Sequence, residues 1–187
     1  MCRRAALSLL ALLAACAVAP PAPRPADVAA IRAFELSGRV AVRLESRGYS
    51  ARLTWAHAGD GETVRLFSPV GTTLATIETG ADGATLATAD RKTFHSHDVQ
   101  GLTREVLGWE LPLAGLQHWV LARPDPDAPI EGQQRDARGR LLSLAQRGWK
   151  ISYLGYADDG PLPSALTLAY GDLTIRLVID RWASVVT

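Results

Sequence analysis

The sequence predicts a mainly β protein, an unclosed antiparallel β-barrel of about ten or eleven strands with a lid of short helices. Short runs of alternating apolar and polar residues follow one another along most of the chain, with Gly- and Asp-containing turns between them. One central segment has helical spacing instead. A strongly twisted sheet of some ten strands curls, and its apolar concave face must be covered. The helical segment is the predicted cover.

Length and charge restrict the possible classes of protein. The chain has 187 residues, 48% of them hydrophobic, with 20 Lys+Arg against 19 Asp+Glu. This composition fits one globular domain and excludes a collagen, a disordered chain and a disulfide-stapled miniprotein. A net charge near zero gives no general attraction for phosphate backbones, so we expect no nucleic-acid partner.

The first fifteen residues are typical of a secretory signal peptide. Arg3 and Arg4 precede an apolar stretch, residues 5–15, which is too short to span a bilayer. Leu13-Ala14-Ala15-Cys16 then resembles the lipobox of bacterial lipoproteins, in which the cysteine is acylated and becomes the first mature residue. Two or three acyl chains would hold the protein stably at a membrane. The alternative is a soluble secreted protein cut nearby, with Cys16 incidental.

Residues 16–33 are interpreted as the lipid anchor, a tether and a short helix. Four prolines between residues 20 and 25 favour an extended spacer of about 3 Å per residue. Asp27 can cap a helix over residues 28–33. The single half-barrel domain is predicted to take residues 34–187.

The strand predictions rest on a period of two. Residues 34–44 and 49–55 alternate across a turn at Ser46-Arg47-Gly48 and predict a hairpin. Further strands are predicted at residues 63–68, 73–79, 84–88, 93–97, 141–146, 149–156, 164–170 and 173–181. Between the two halves, residues 102–122 have apolar residues at helical spacing, interrupted by Gly108 and Pro112. We therefore expect two short amphipathic helices joined by a bend.

The sequence offers little sign of reaction chemistry. It contains no Gly-x-Ser-x-Gly elbow, no phosphate-binding glycine loop and no zinc spacing. His95 and His97 share one face of a predicted strand beside Asp98 and could hold a metal together with His57 or His118. Spacing places no third ligand, so a solvated edge strand is the favoured interpretation. Arg91-Lys92 and the arginines of residues 135–140 are interpreted as turn and loop charges. We expect no enzyme, no metal and no cofactor.

Six blocks carry a resemblance along nearly the whole mature chain: FELSGR (34–39), SARLTW (50–55), SPVGTT (68–73), LGWELP (107–112), QRGWKISY (146–153) and IDRW (179–182). In this order behind a lipobox, they resemble the LolB family, outer-membrane receptors that accept lipoproteins from the periplasmic carrier LolA. The resemblance implies a hollow, hydrophobic cavity beneath the lid. It also implies that the chain takes acylated lipoproteins from LolA and inserts them into the outer membrane, without making bonds.

The resemblance also implies site residues. In the family, an apolar residue at the tip of a protruding hairpin loop is needed for delivery, and Val70 between Pro69 and Gly71 matches it, although leucine is common there. The alternative is that Val70 packs against the barrel rim. The candidate cavity residues are the apolar faces of the strands and the lid: Val40, Val42, Leu53, Leu66, Leu74, Ile151, Tyr153, Leu177 and Ile179, with Leu107, Trp109, Leu116 and Trp119.

The expected partners are LolA, acylated lipoprotein cargo and, through Cys16, the periplasmic face of the outer membrane. We expect a monomer. One alternative is a structural outer-membrane lipoprotein that scaffolds envelope machinery and has a solid core. Another is a periplasmic lipid-modifying hydrolase, which is disfavoured because no serine has the context of a nucleophile motif.

Overall fold

The computed structural model describes residues 28–186 of the chain. The predicted signal peptide, Cys16 and the proline-rich tether up to residue 27 lie outside the described residues.

The described residues form one antiparallel sheet of eleven strands. In chain order the strands are β1 (Ala33–Leu44), β2 (Arg47–Ala58), β3 (Gly61–Phe67), β4 (Thr73–Gly80), β5 (Gly83–Thr88), β6 (Thr93–Ser96), β7 (Gly132–Arg135), β8 (Leu141–Gln146), β9 (Trp149–Tyr156), β10 (Pro163–Tyr170) and β11 (Leu173–Val186). Their order across the sheet is β6-β5-β4-β3-β2-β1-β11-β10-β9-β8-β7. Because β6 and β7 are not paired with each other, the barrel is unclosed, and the predicted fold class is confirmed.

Two helices follow β6, also as predicted. Helix α1 (Val99–Leu107) begins after Asp98, whose carboxylate accepts a hydrogen bond from the Gln100 N–H at 3.0 Å. It ends at Gly108, which adopts the left-handed conformation (φ 81°) and donates its N–H to the Arg104 carbonyl. Helix α2 (Leu113–Trp119) begins directly after Pro112. Over residues 28–186, no helix combines the length and apolar character needed to cross a membrane.

The predicted helix over residues 28–33 is wrong. Val28 is helical, Ala29 and Ala30 form a turn, and Ala33 already belongs to β1. The Arg32 N–H donates to the Val186 carbonyl at 2.8 Å, so sheet pairing takes the backbone group that a helix would have used.

Two further strand predictions need correction. The turn of the first hairpin is Glu45-Ser46, with Glu45 in the left-handed region (φ 53°), and not residues 46–48. The sequence interpretation missed β7, whose four residues are all exposed. An edge strand of this kind has no apolar face, so it leaves no alternation in the sequence.

The core lies between the concave face of the sheet and the helices. Large side chains such as Leu36, Trp55, Trp119 and Leu166 are at most 1% exposed there. At Gly38, a Cβ atom would lie 2.2 Å from the Val178 carbonyl oxygen, so only glycine allows the strands to approach at this irregularity in the β1–β11 pairing.

Candidate functional site

A small cavity of about 40 Å³ lies beneath the lid. Its walls come from the concave faces of both halves of the sheet, from α2 and from the segment joining the helices. All the lining residues are apolar: Val40, Leu53, Trp55, Val64, Leu66, Trp109, Leu111, Leu113, Leu116, Leu168, Ile175 and Leu177. A cavity of this size is far smaller than a typical small-molecule pocket of about 300–1,000 Å³. The space directly under α2 is therefore largely filled.

A second, open cavity of about 480 Å³ adjoins the first, between β1–β4 and α1. Its lining is Val40, Val42, Gly48, Tyr49, Ser50, Ala51, Leu66, Leu74, Ala75, Val106, Leu107 and Trp109. Val40, Leu66 and Trp109 line both spaces, so the two cavities meet at these side chains. The outer cavity has the volume of an ordinary ligand pocket and a largely apolar wall.

The structure separates the thirteen predicted cavity residues into two groups. Nine line one or both cavities: Val40, Val42, Leu53, Leu66, Leu74, Leu107, Trp109, Leu116 and Leu177. Four are buried and line neither: Trp119, Ile151, Tyr153 and Ile179. Alternation identified the inward face of each strand, but it does not reveal whether that face meets a cavity or another side chain.

Several lining residues were missed by sequence reasoning. Trp55 and Val64 lie on the same strand faces as Leu53 and Leu66, so their alternation was a usable signal. Leu111 belongs to the segment between the helices, where no periodicity identifies a buried residue.

A buried polar network explains why the far end of α2 is tightly packed. The Gln146 side-chain oxygen accepts hydrogen bonds from Trp119 Nε1 at 3.1 Å and from the Asp125 N–H at 2.8 Å. The Asp125 carboxylate, 2% exposed, accepts from Arg147 Nε at 2.6 Å. Tyr153 donates its hydroxyl to the Trp119 carbonyl at 2.9 Å, and burial raises the pKa of this tyrosine. Because all these buried groups are hydrogen-bonded, they hold the end of α2 firmly on β8 and β9.

The segment joining the helices is held to α1. The Leu111 N–H donates to Thr103 Oγ1 at 3.0 Å, and Arg104 forms an ion pair with Glu110. Trp109 directly precedes Glu110 and Leu111, and it is 7% exposed. Helix α1 and the indole at the junction of the two cavities therefore form one unit.

A hydrogen-bonded loop joins β3 to β4 between Leu66 and Leu74, which line the outer cavity. The Gly71 N–H donates to the Ser68 carbonyl at 2.9 Å, and the Ser68 N–H donates to the Thr72 carbonyl at 2.8 Å. Pro69 restricts φ, and Gly71 takes a φ of 90°. Val70, between them, is 90% exposed. Its side chain therefore projects from the tip and does not pack against the rim.

Among the described residues, no group of three or more His, Cys, Asp or Glu side chains could hold a metal ion. His95 contacts Thr85 instead, at 3.0 Å between Nδ1 and Oγ1.

A half-barrel with a helical lid and joined apolar cavities defines a class of binding proteins for apolar ligands. The fold is similar to that of a LolA superfamily protein from Nitrosomonas europaea (TM-score 0.50, 7% identity, 80% of this chain and 84% of that chain). It is also similar to that of a DUF1329 family protein from Desulfovibrio piger (TM-score 0.54, 6% identity, 87% and 90%). At these identities the likeness shows the fold alone.

Sequence comparison is more specific. The family model described as outer membrane lipoprotein LolB matches residues 32–182. A protein from Thiobacillus denitrificans named outer-membrane lipoprotein LolB is 39% identical over 178 residues, covering 95% of each chain. One of the same name from Azoarcus sp. is 35% identical over 175 residues, covering 92% of this chain and 90% of its own. The chain belongs to the LolB family of outer-membrane lipoproteins, which confirms the resemblance predicted from the sequence.

Proposed function

We propose that the chain accepts acylated lipoproteins from the periplasmic carrier LolA and inserts them into the outer membrane, without bond chemistry. The observation that carries the proposal is the open apolar cavity of about 480 Å³ whose rim bears a projecting apolar loop. Exposing several acyl chains to water costs tens of kcal/mol at about 25 cal/mol per Å². Cargo chains must therefore pass from one apolar container to the next.

The outer cavity is the proposed entrance for an acyl chain. Leu111, Leu113 and Leu116 occupy much of the space beyond Trp109, so a chain that goes deeper must displace the lid locally. The far end of α2 is fixed by the Gln146 network, whereas α1 and Trp109 form a separate unit. We expect α1 with Trp109 to move aside when cargo enters.

The proposed anchor is the acylated Cys16. The residue that follows it is Ala17 and not an aspartate, which favours sorting to the outer membrane.

The reach of the tether decides whether the Val70 loop can touch that membrane. Val28 lies at the end of the sheet where β1 begins, and the Val70 loop lies toward the other end. Phe67 is level with Arg39, six residues along β1 from Ala33, which is about 20 Å from that end. The Ser68–Gly71 turn carries Val70 about two residue steps farther, so Val70 is about 27 Å from that end. Twelve residue steps from Cys16 to Val28 reach about 37 Å when extended. The tether is thus long enough for Val70 to touch the membrane that holds Cys16.

Mass spectrometry of the membrane-extracted protein tests the anchor. We expect a mature chain that begins at Cys16 and is heavier by its acyl groups. An unmodified Cys16, or another N-terminus, would contradict the anchor.

A two-step transfer of labelled lipoprotein from LolA, through this protein, to liposomes tests the function. Placing a charge in the apolar layer costs about 2–4 kcal/mol, so Val70→Glu should lower delivery by roughly a hundredfold while uptake from LolA survives. Val70→Leu should deliver at least as well as the parent, through its extra methylene. Val186→Glu is a matched control, because Val186 is 56% exposed at the other end of the sheet. Normal delivery by Val70→Glu, or failure already at uptake, would contradict the assignment of the loop.

A further inference from the structure

An arginine lies beside the base of the Val70 loop on the outer face of the sheet. Arg52 of β2 is directly opposite Phe67, the last residue of β3 before the loop. A surface groove of about 330 Å³ at this point is lined by Arg52, Thr54, Phe67 and Gly71, among others. Arg52 and Gly71 of the loop therefore border one groove.

The surroundings of Arg52 do not neutralise it. Its direct cross-strand neighbour is Arg39, and like charges in such pairs are destabilising. Arg39 is paired with Asp180 at 2.8 Å. Within residues 28–186, Arg52 has no ion pair and no side-chain hydrogen bond, and it is exposed. Asp180 also lines the groove, but its carboxylate is engaged by Arg39.

A second arginine lies on the other side of the loop. The turn between β5 and β6 is next to the start of β4, because the Ala89 N–H donates to the Leu74 carbonyl at 3.0 Å. In this turn Asp90 pairs with Lys92 at 2.8 Å, and that contact lowers the pKa of Asp90 to about 2. The negative charge of Asp90 is therefore balanced by Lys92. Arg91 is exposed and has no ion pair within the described part of the chain.

We propose that Arg52 and Arg91 bind phosphate groups of an anionic phospholipid surface and so seat the Val70 loop against it. The inference rests on the proposed role of Val70 in delivery. Guanidinium groups bind phosphate oxygens through paired hydrogen bonds. A bilayer presents phosphates at its surface and hydrocarbon beneath, which matches two cations on either side of a projecting apolar tip. An anionic leaflet also attracts basic residues within a Debye length of its surface.

Vesicle binding tests the proposal with the mature chain carrying Cys16→Ser, so that contact depends on the folded part. The vesicles are phosphatidylcholine alone, or equal parts phosphatidylcholine and phosphatidylglycerol. On the anionic vesicles, Arg52→Gln and Arg91→Gln should each weaken binding by about fivefold, and the double variant by about 25-fold. Arg32→Gln, an equal change of charge at the opposite end of the sheet, should change binding less than about twofold. The melting temperature of Arg52→Gln should equal or exceed that of the parent, since an opposed charge is removed.

Three results would overturn the inference. One is parental binding by the double variant. A second is equal weakening by Arg32→Gln, which would indicate attraction by net charge alone. A third is loss of vesicle binding when inorganic phosphate replaces chloride at equal ionic strength, which would indicate a site for free phosphate. A separate result would contradict the proposed function itself, namely normal delivery of cargo by Val70→Glu. If Val70→Glu is blocked while the arginine variants bind and deliver like the parent, only the lipid contact is refuted.

Discussion

A pair of tryptophan substitutions distinguishes the open half of the barrel from the filled half. Val42 on β1 and Ile151 on β9 are both buried, at 3% and 1% exposure, and both were predicted to line a cavity. In the structure only Val42 borders the outer cavity of about 480 Å³. Ile151 pairs with Leu144 and Leu168 on its neighbouring strands and lines neither cavity.

The two substitutions should therefore differ in stability. An indole at position 151 overpacks a filled core and costs about 1–3 kcal/mol. For a chain of this length, about 2–4 °C is lost per kcal/mol, so Ile151→Trp should melt about 2–12 °C below the parent. An indole at position 42 can occupy the open cavity, and we expect Val42→Trp to lose less than about 1 kcal/mol.

Ligand binding should show the opposite order. Each acyl methylene excluded from the cavity loses about 0.8 kcal/mol, so excluding two or three weakens binding by roughly thirtyfold. Val42→Trp should therefore bind a fluorescent fatty acid much more weakly than the parent, and Ile151→Trp should bind it normally at a temperature where it is folded. Thermal melts and probe titrations on the same samples give both quantities. Equal destabilisation by the two variants, or parental binding by Val42→Trp, would refute the placement of the acyl site.

Two more predictions concern His118 and the tether. The pKa of His118 is lowered from its ordinary 6.5, mainly by burial. Below pH 6.5 the imidazole therefore binds a proton more readily in the unfolded chain than in the folded one, so the free energy of unfolding should fall as the pH drops. The melting temperature of His118→Gln should fall less steeply there than that of the parent, and parallel curves would contradict this. Deleting residues 20–25 shortens the reach of the tether to about 19 Å, below the 27 Å needed, so the anchored protein should take up cargo but fail to deliver it into its own membrane. Unchanged delivery would show that Val70 does not need to reach that membrane.

Alternation predicted the strands whose inward face is buried, and it failed where side chains carry no such pattern. β9 lies at its predicted position because its buried residues, Trp149, Ile151 and Tyr153, recur at every second position. β7 is held by backbone hydrogen bonds to β8, and its polar side chains face solvent. The helix over residues 28–33 was wrongly predicted because the Arg32 backbone pairs with Val186, a contact between residues far apart in sequence that no local pattern reveals.

The sequence predicted which strand faces point inward at the candidate site. It did not predict which of the inward residues line a cavity and which pack against other side chains. Leu53 and Tyr153 show the same alternation, yet one lines a cavity and the other packs under α2. The difference comes from Trp119 and Gln146, which are far apart in sequence and meet only when α2 lies on β8 and β9. Arg52 likewise belongs to an ordinary alternating strand. Its position beside the loop follows from the register of β2 and β3, which sequence spacing alone does not fix.

The two halves of the barrel consequently have different roles in the proposed transfer. The Gln146 network holds the end of α2 on β8 and β9 and fills the space there, so this half gives the lid a fixed support. The outer cavity is bounded by β1 to β4 and α1, and the Val70 loop joins β3 to β4 on the same half. A cargo chain held by Val42 and Leu74 is therefore already next to the loop that is proposed to meet the bilayer. Uptake and delivery can share one rim, and the cargo need not cross the filled half of the barrel.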